Sequence, residues 1–407
     1  MMKISIRKLI CLALPFGLLA AEWDGPHTAS GQSRELNSRV TTVSTSEEED
    51  LFDTQLLSQS AAYTVTSPMP ACTDTVAPPP QQLPSPDTVF TPTPAPGFLP
   101  AGQGALTAQN SVAASLMPGG YLDPAAPVTM FRLRYDTAVN NQFPDRGEYF
   151  YAKCGCFRAA GVDPKAHGPT GNTLSANYQD VRPYFEYAFN PRLSVFTELP
   201  VRFVNLIAGP PVPAFGPDLG RESGFSDMNV GFKYAFIAEQ NRYLTFQWRT
   251  YLPTGDSERG LGTHHVSLEP SLLYYRRLSD RWLLQGQLTS FNPVGVSSFA
   301  SNVLQYGGGL GYVLHQGESC TVIPTVEMVG WTFLNGQKFN PTSNGGLPES
   351  ASGDTIVNVK PGVRIGLGRA PGPMMMQQQS IYAGFGIPVT GDQFYSNLFR
   401  VEYRFVF

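Results

Sequence analysis

Charge is what this chain has least of. Only 15% of its 407 residues are Asp, Glu, Lys or Arg, against roughly 25% in ordinary soluble domains, so too few ionic groups exist to coat a water-facing surface of this size. Basic excess is missing as well: the formal net charge is −4, which argues against a nucleic-acid partner, since there is no basic excess to release counterions. Past residue 21 no uninterrupted apolar run reaches the roughly 20 residues that a membrane-crossing helix requires. If the chain crosses a bilayer, it must do so with strands. Cysteines are few, and Cys154-Gly155-Cys156 has no His or Cys partner at zinc-finger spacing. With Cys11 inside the leader, the cysteines left are Cys72, Cys154, Cys156 and Cys320. A loop disulfide is the expectation in an oxidising compartment, with no pairing readable and no cofactor implied.

Three regions are present. Residues 1–21 read as an export signal: Lys3, Arg7 and Lys8 precede the apolar stretch Leu9 to Ala20, and Ala20-Ala21 offers a cleavage site. Twelve apolar residues are too short for a retained anchor. Residues 22–127 are rich in Ser, Thr, Pro, Gln and Ala. The window 65–100 alone holds 11 prolines, each lacking the N–H that helix or sheet ladders need. This stretch is expected to be a disordered periplasmic arm, and its acidic run Glu47 to Asp50 a solvated patch.

From 128 to 407 the pattern changes to period two. Phe399, Val401, Tyr403, Phe405 and Phe407 alternate with Arg400, Glu402, Arg404 and Val406, as in a strand with one apolar and one mostly charged face. The alternation, ending in Phe407, resembles the C-terminal signature that the barrel-insertion machinery of the outer membrane recognises. Twelve such segments fall near 128–139, 179–189, 192–206, 226–237, 242–253, 264–277, 281–291, 302–315, 319–334, 354–368, 379–389 and 396–407. Tight turns at Asn190-Pro191, Glu239 to Asn241, Ser279-Asp280 and Gln316 to Glu318 alternate with long connections, as periplasmic turns and outer loops do. The exceptions are 369–378, long for a turn, and 390–395, short for a loop. The expected fold is therefore all-β: a transmembrane antiparallel up-and-down barrel of about 12 strands. An even count puts arm and C-terminus on the periplasmic side of an outer membrane.

If the apolar face meets lipid, the other face lines a lumen. It carries Arg132, Arg134, Asp136, Arg182, Glu186, Glu198, Arg202, Lys233, Arg249, Glu269, Arg277, Glu327, Lys360, Arg364, Arg400, Glu402 and Arg404, or 11 basic against 6 acidic groups. The excess suggests a mild anion preference, although Arg–Glu ladders that fill the interior explain it equally well. Tyr187, Phe189, Phe236, Tyr274, Trp282, Phe405 and Phe407 cluster at the turn-side strand ends, where rings settle at the headgroup level.

Three stretches carry a family resemblance: GFSDMNVGFKYAF at 224–236, YLPTGDSERGLGTHHVSLEPSLLYY at 251–275 and IPVTGDQFYSNLFRVEYRFVF at 387–407. They resemble the transporter-like outer-membrane family named after a protein of phenol-degradation (meta-pathway) clusters. Asp227, Gly231, Lys233 and Tyr234 match its first turn-and-strand pattern. Pro253, Thr254, Gly255, Asp256, Gly260 and Gly262 match its second. Ser226 stands where a Gly is expected, and the loop 140–178 is unusually large. The resemblance implies a barrel that passes hydrophobic or small organic solutes. Read from the residues alone, Thr254-Gly255-Asp256 and Thr390-Gly391-Asp392 are turn formers, and a divalent cation on Asp256 and Glu258 would have too few ligands.

Three function classes follow: solute passage; a structural or surface-display barrel meeting a partner through its arm or outer loops; and an enzyme. The last rests on His265 and Ser267, two apart as in twelve-stranded outer-membrane phospholipases. Here Val266, Leu268, Leu272 and Tyr274 claim the lipid face and turn that pair inward with Glu269, so catalysis is not expected. Gly307 to Gly311 lacks the following helix of a phosphate loop; a barrel bend or a close approach accounts for it better.

Overall fold

The computed structural model describes residues 117–141, 155–209, 216–217, 219–317, 320–338, 348–367 and 379–407. The expected export segment and the arm up to residue 116 lie outside the described residues. Twelve antiparallel strands follow one another in chain order. They are β1 (Met130–Asn141), β2 (Thr173–Asn190), β3 (Leu193–Glu198 and Val201–Ala208), β4 (Arg221–Phe225 and Met228–Glu239), β5 (Arg242–Leu252) and β6 (Ser267–Arg277). The second half comprises β7 (Trp282–Pro293), β8 (Val303–Tyr312), β9 (Cys320–Phe333), β10 (Thr355–Leu367), β11 (Gln379–Pro388) and β12 (Asn397–Val406). Each pairs with its chain neighbours, and β12 returns to β1 with Met130 opposite Val406 and Val139 opposite Asn397. The sheet is closed and has no free edge.

All twelve expected segments are strands, because period-two patterning holds wherever one face is apolar. The outer ends differ. β2 begins at Thr173 rather than near 179, and Ala138 and Asn141 of β1 lie opposite Tyr178 and Ala176. Residues 221–225, expected in a loop, pair with β3. These extensions carry small and polar residues on both faces, so the alternation that marks a strand fades there. β6 begins at Ser267, leaving His265 off the strand.

Two interruptions sit side by side in the wall. Leu199-Pro200 breaks β3 and Ser226-Asp227 breaks β4. Proline cannot donate to a ladder, and the chain compensates: Leu199 N donates to Pro183 O (3.0 Å) and Ser226 N to Pro200 O (2.9 Å).

The outer surface is apolar. Leu133, Phe185, Phe203, Leu272, Leu288, Met328 and Phe385 are all exposed. At the turn end, rings pair along neighbouring positions: Tyr187 with Phe189, Tyr234 with Phe236, and Phe405 with Phe407 at 4.7 Å. Charge is on the other face, as period two demands.

Candidate functional site

Glu186, Glu198, Glu269, Glu327 and Glu402 are buried inside the barrel, as are Arg132, Arg134, Arg182, Arg202, Lys233, Lys360, Arg364, Arg400 and Arg404. They form ladders along the inner face. Glu198 meets Arg132, Arg134 and Arg182 at 3.2–3.5 Å. Glu402 meets Arg364 at 2.8 Å and Arg404 at 2.9 Å. Glu186 accepts from Lys233 Nζ at 2.8 Å, and Asp136 holds Arg400 through both oxygens at 2.6 and 2.9 Å. Arg277 does not join them; it turns out at the strand end and pairs with Asp280. Asp180 belongs to the network although it was not among the expected residues: fully buried, it accepts from Arg182 and Arg202. Its in-phase position, two before Arg182, was the available signal. It lay at the edge of the expected strand.

The interior also holds backbone. Residues 117–129, of which 117–127 were expected to belong to the disordered arm, are packed in the lumen. Met117 packs in a cluster with Met130, Tyr184, Leu283 and Val406 near the turn end, and Val128 shares that cluster. Between them Tyr121 and Leu122 reach the cluster of Tyr178, Trp331 and Phe394 in the other half. The segment thus enters, turns and leaves by the same end.

Side chains distant in sequence hold it there. The Glu327 carboxylate accepts three consecutive amides, those of Gly120 (3.0 Å), Tyr121 (3.2 Å) and Leu122 (2.9 Å), and the amide of Gln285 (2.7 Å). Arg364 donates to the carbonyls of Pro118 (3.2 Å) and Gly119 (2.6 Å), and Arg400 to that of Gly120 (2.8 Å). Lys360 and Arg400 each stand 4.1 Å from the centre of the Tyr121 ring, a cation–π arrangement. At the tip, Asp123 accepts from Arg249 (2.7 Å) and Gln247 (3.1 Å). The glycine stretch of β8 gives the room. A Cβ at Gly307 would stand 2.7 Å from the Leu122 side chain, and one at Gly311 would strike Pro118. The close approach expected there is an approach to this segment.

The family-motif turns meet one another. Asp227 accepts from Gly255 N (3.0 Å), Thr263 N (2.8 Å) and Thr263 Oγ1 (2.7 Å). Gly255 and Gly262 leave no space for a side chain between these strands of loop. Thr254 Oγ1 donates to Ser226 O and accepts from Met228 N, both at 2.9 Å. Of the remaining motif residues, Gly231 lies against Phe196, Lys233 is buried on Glu186, and Tyr234 faces outward. Replacing Asp227 with Ala leaves buried donors unmet, at about 1–3 kcal/mol each. Hydrogen exchange should show the Gly255 and Thr263 amides losing protection while strand amides keep theirs.

At the loop end, helix α1 (Gly155–Ala159) places Cys156 as a buried thiol and stacks Phe157 on Phe299 at 4.7 Å. Cys320 is disulfide-bonded. Asp256 accepts from Glu258 N as the cap of a short 3₁₀ turn, while Glu258 pairs with Arg158 and His167. The two carboxylates considered for a cation are thus engaged separately, and among the described residues no group of three His, Cys, Asp or Glu side chains suits a metal ion. Ser267 and Glu269 are buried inside the barrel, whereas His265 precedes the strand.

No family model matches this sequence, and neither does any curated protein. Solved structures do match. One is a COG4313 outer membrane channel from Pseudomonas putida F1, with 14% identity and a TM-score of 0.41 over 72% of this chain and all of that one. Another is the KdgM porin, with 8% identity and a TM-score of 0.34 over 68% of this chain and 99% of that one. A third is LpxR from Salmonella typhimurium, with 9% identity and a TM-score of 0.36 over 68% of this chain and all of that one. These likenesses are distant and concern barrel architecture alone.

Proposed function

We propose that this chain is an outer-membrane channel for small organic solutes whose resting lumen is closed by residues 117–129. Export is by the signal at 1–21, and Phe407 is the residue the insertion machinery reads. Arm and C-terminus are periplasmic, so the plug enters from that side. The apolar exterior with its aromatic end supports bilayer residence, since charges facing lipid cost roughly 2–4 kcal/mol at midplane. The observation that carries the channel reading is a separate structural element, contiguous with the arm, occupying the lumen. A barrel built only as a wall can fill its interior with side chains from its strands and needs no inserted segment.

A second reading, a structural or display barrel meeting a partner through its arm or outer loops, is favoured by the density of ion pairs inside. Planar-bilayer recording separates the two. The channel reading expects rare, discrete openings from the intact protein and sustained ones from a form lacking the plug. Silence from both, with insertion verified, contradicts it.

A further inference from the structure

We propose that Asp123 at the plug tip is an internal stand-in for the carboxylate of a small organic anion, and that such a solute opens the lumen by taking its place. The inference rests on the channel reading above. Asp123 makes its ion pair with Arg249 at 2.7 Å, with Arg132 farther off at 3.9 Å. This pair is less enclosed than the rest of the network: the side chains of Asp123 and Arg249 are 12% and 11% exposed, against 0% for Arg364 and Glu402. Both face a small cavity of about 60 Å³.

The cavity wall holds more arginines than carboxylates, the difference being met from behind by Asp136 on Arg400, Asp180 on Arg182 and Glu402 on Arg132. It carries five arginines, Arg134, Arg182 and Arg400 with the two above, against three carboxylates, of which Asp123 is one. Swinging Asp123 away leaves Arg249 with Glu269 alone, and an incoming carboxylate restores the charge-assisted bond at its other Nη. Arg249 Nε has no hydrogen-bond partner among the described residues, so a donor is left for an oxygen that Asp123 does not supply. Tyr251 also lines the space and offers ring surface to the body of the solute. A neutral solute would gain nothing from displacing Asp123, because it leaves one Nη of Arg249 without a carboxylate.

The exchange has a mechanical consequence. Asp123 follows directly on the amides held by Glu327, and its own N–H donates to Gln287 at 2.9 Å. Losing its side-chain anchor frees the tip, where the segment reaches deepest.

The test is single-channel recording of the full chain with acetate or benzoate replacing chloride at matched ionic strength. Open probability should rise by about tenfold, the equivalent of ~1.4 kcal/mol of differential binding. Asp123→Asn should open in chloride alone and no longer respond to carboxylate. Equal open probability of the intact protein in acetate, benzoate and chloride, with Asp123→Asn conducting, overturns this inference and leaves the channel reading standing. Silence of every form, the plug-deleted one included, overturns both. Should Asp123→Asn fail to fold, hydrogen exchange of the intact protein decides. Benzoate should speed exchange at the Gly120 to Leu122 amides, and unchanged protection counts against the inference.

Discussion

Deleting residues 117–127 is expected to convert a mostly silent barrel into one that conducts steadily, with open probability rising by about a hundredfold. The direction follows from what holds the segment. Glu327 accepts three of its amides, Arg364 and Arg400 donate to three of its carbonyls, and Asp123 bonds Arg249 and Gln247. Hydrogen bonds to charged groups are stronger than neutral ones, and together they must outweigh the entropy lost in ordering the segment. A surplus of ~3 kcal/mol is enough to keep the open fraction near 1%. Gly311→Val, which fills the place of Pro118, should act in the same direction with smaller effect. Bilayer recordings of both variants check this, and unchanged currents would mean that the segment does not limit conduction.

The second large effect concerns stability. Glu402 is fully buried and stands between Arg364, Arg404 and Arg132. Removing its charge with Glu402→Ala leaves three enclosed guanidiniums without their shared counter-ion. Breaking a buried pair from one side costs about 3–5 kcal/mol, whereas removing both partners together is often close to neutral. Glu402→Ala should therefore shift the urea unfolding midpoint strongly downward, and adding Arg404→Met should recover part of the loss. A double variant as unstable as the single one would argue that Glu402 acts through packing rather than charge. Arg364 is not the partner to remove, since it also grips the plug.

The wall of the barrel was legible because its physical cause is local. A strand with one face against apolar surroundings and the other against charge must alternate, and Phe399 to Phe405 does so without interruption. The same phase selected Arg132, Glu198, Lys233 and Arg400 as inward, and all four are buried. It failed for Arg277 because a residue at a strand end is free to follow the turn, where Asp280 waits. Strand ends were misplaced where the contrast between faces fades, as at Thr173 to Tyr178.

The plug was not legible for the opposite reason. Residues 117–127, MPGGYLDPAAP, hold three prolines and two glycines, and by composition they continue the arm. Their order comes from partners such as Glu327, Arg364 and Arg400, more than 200 positions away from those they hold. Nothing within a local window announces such partners. The glycines of β8 pointed to a close approach, yet only the folded chain identifies Leu122 and Pro118 as what approaches.

Disulfide trapping tests the central claim most directly. With the native cysteines replaced by serine, Leu122→Cys and Gly307→Cys put two thiols where a Cβ at 307 now meets the Leu122 side chain at 2.7 Å. Mild oxidation of the purified, folded barrel should cross-link them in high yield and abolish openings until a reductant is added. Two thiols that stay separately reactive in the folded protein would show that residues 117–129 do not occupy the lumen.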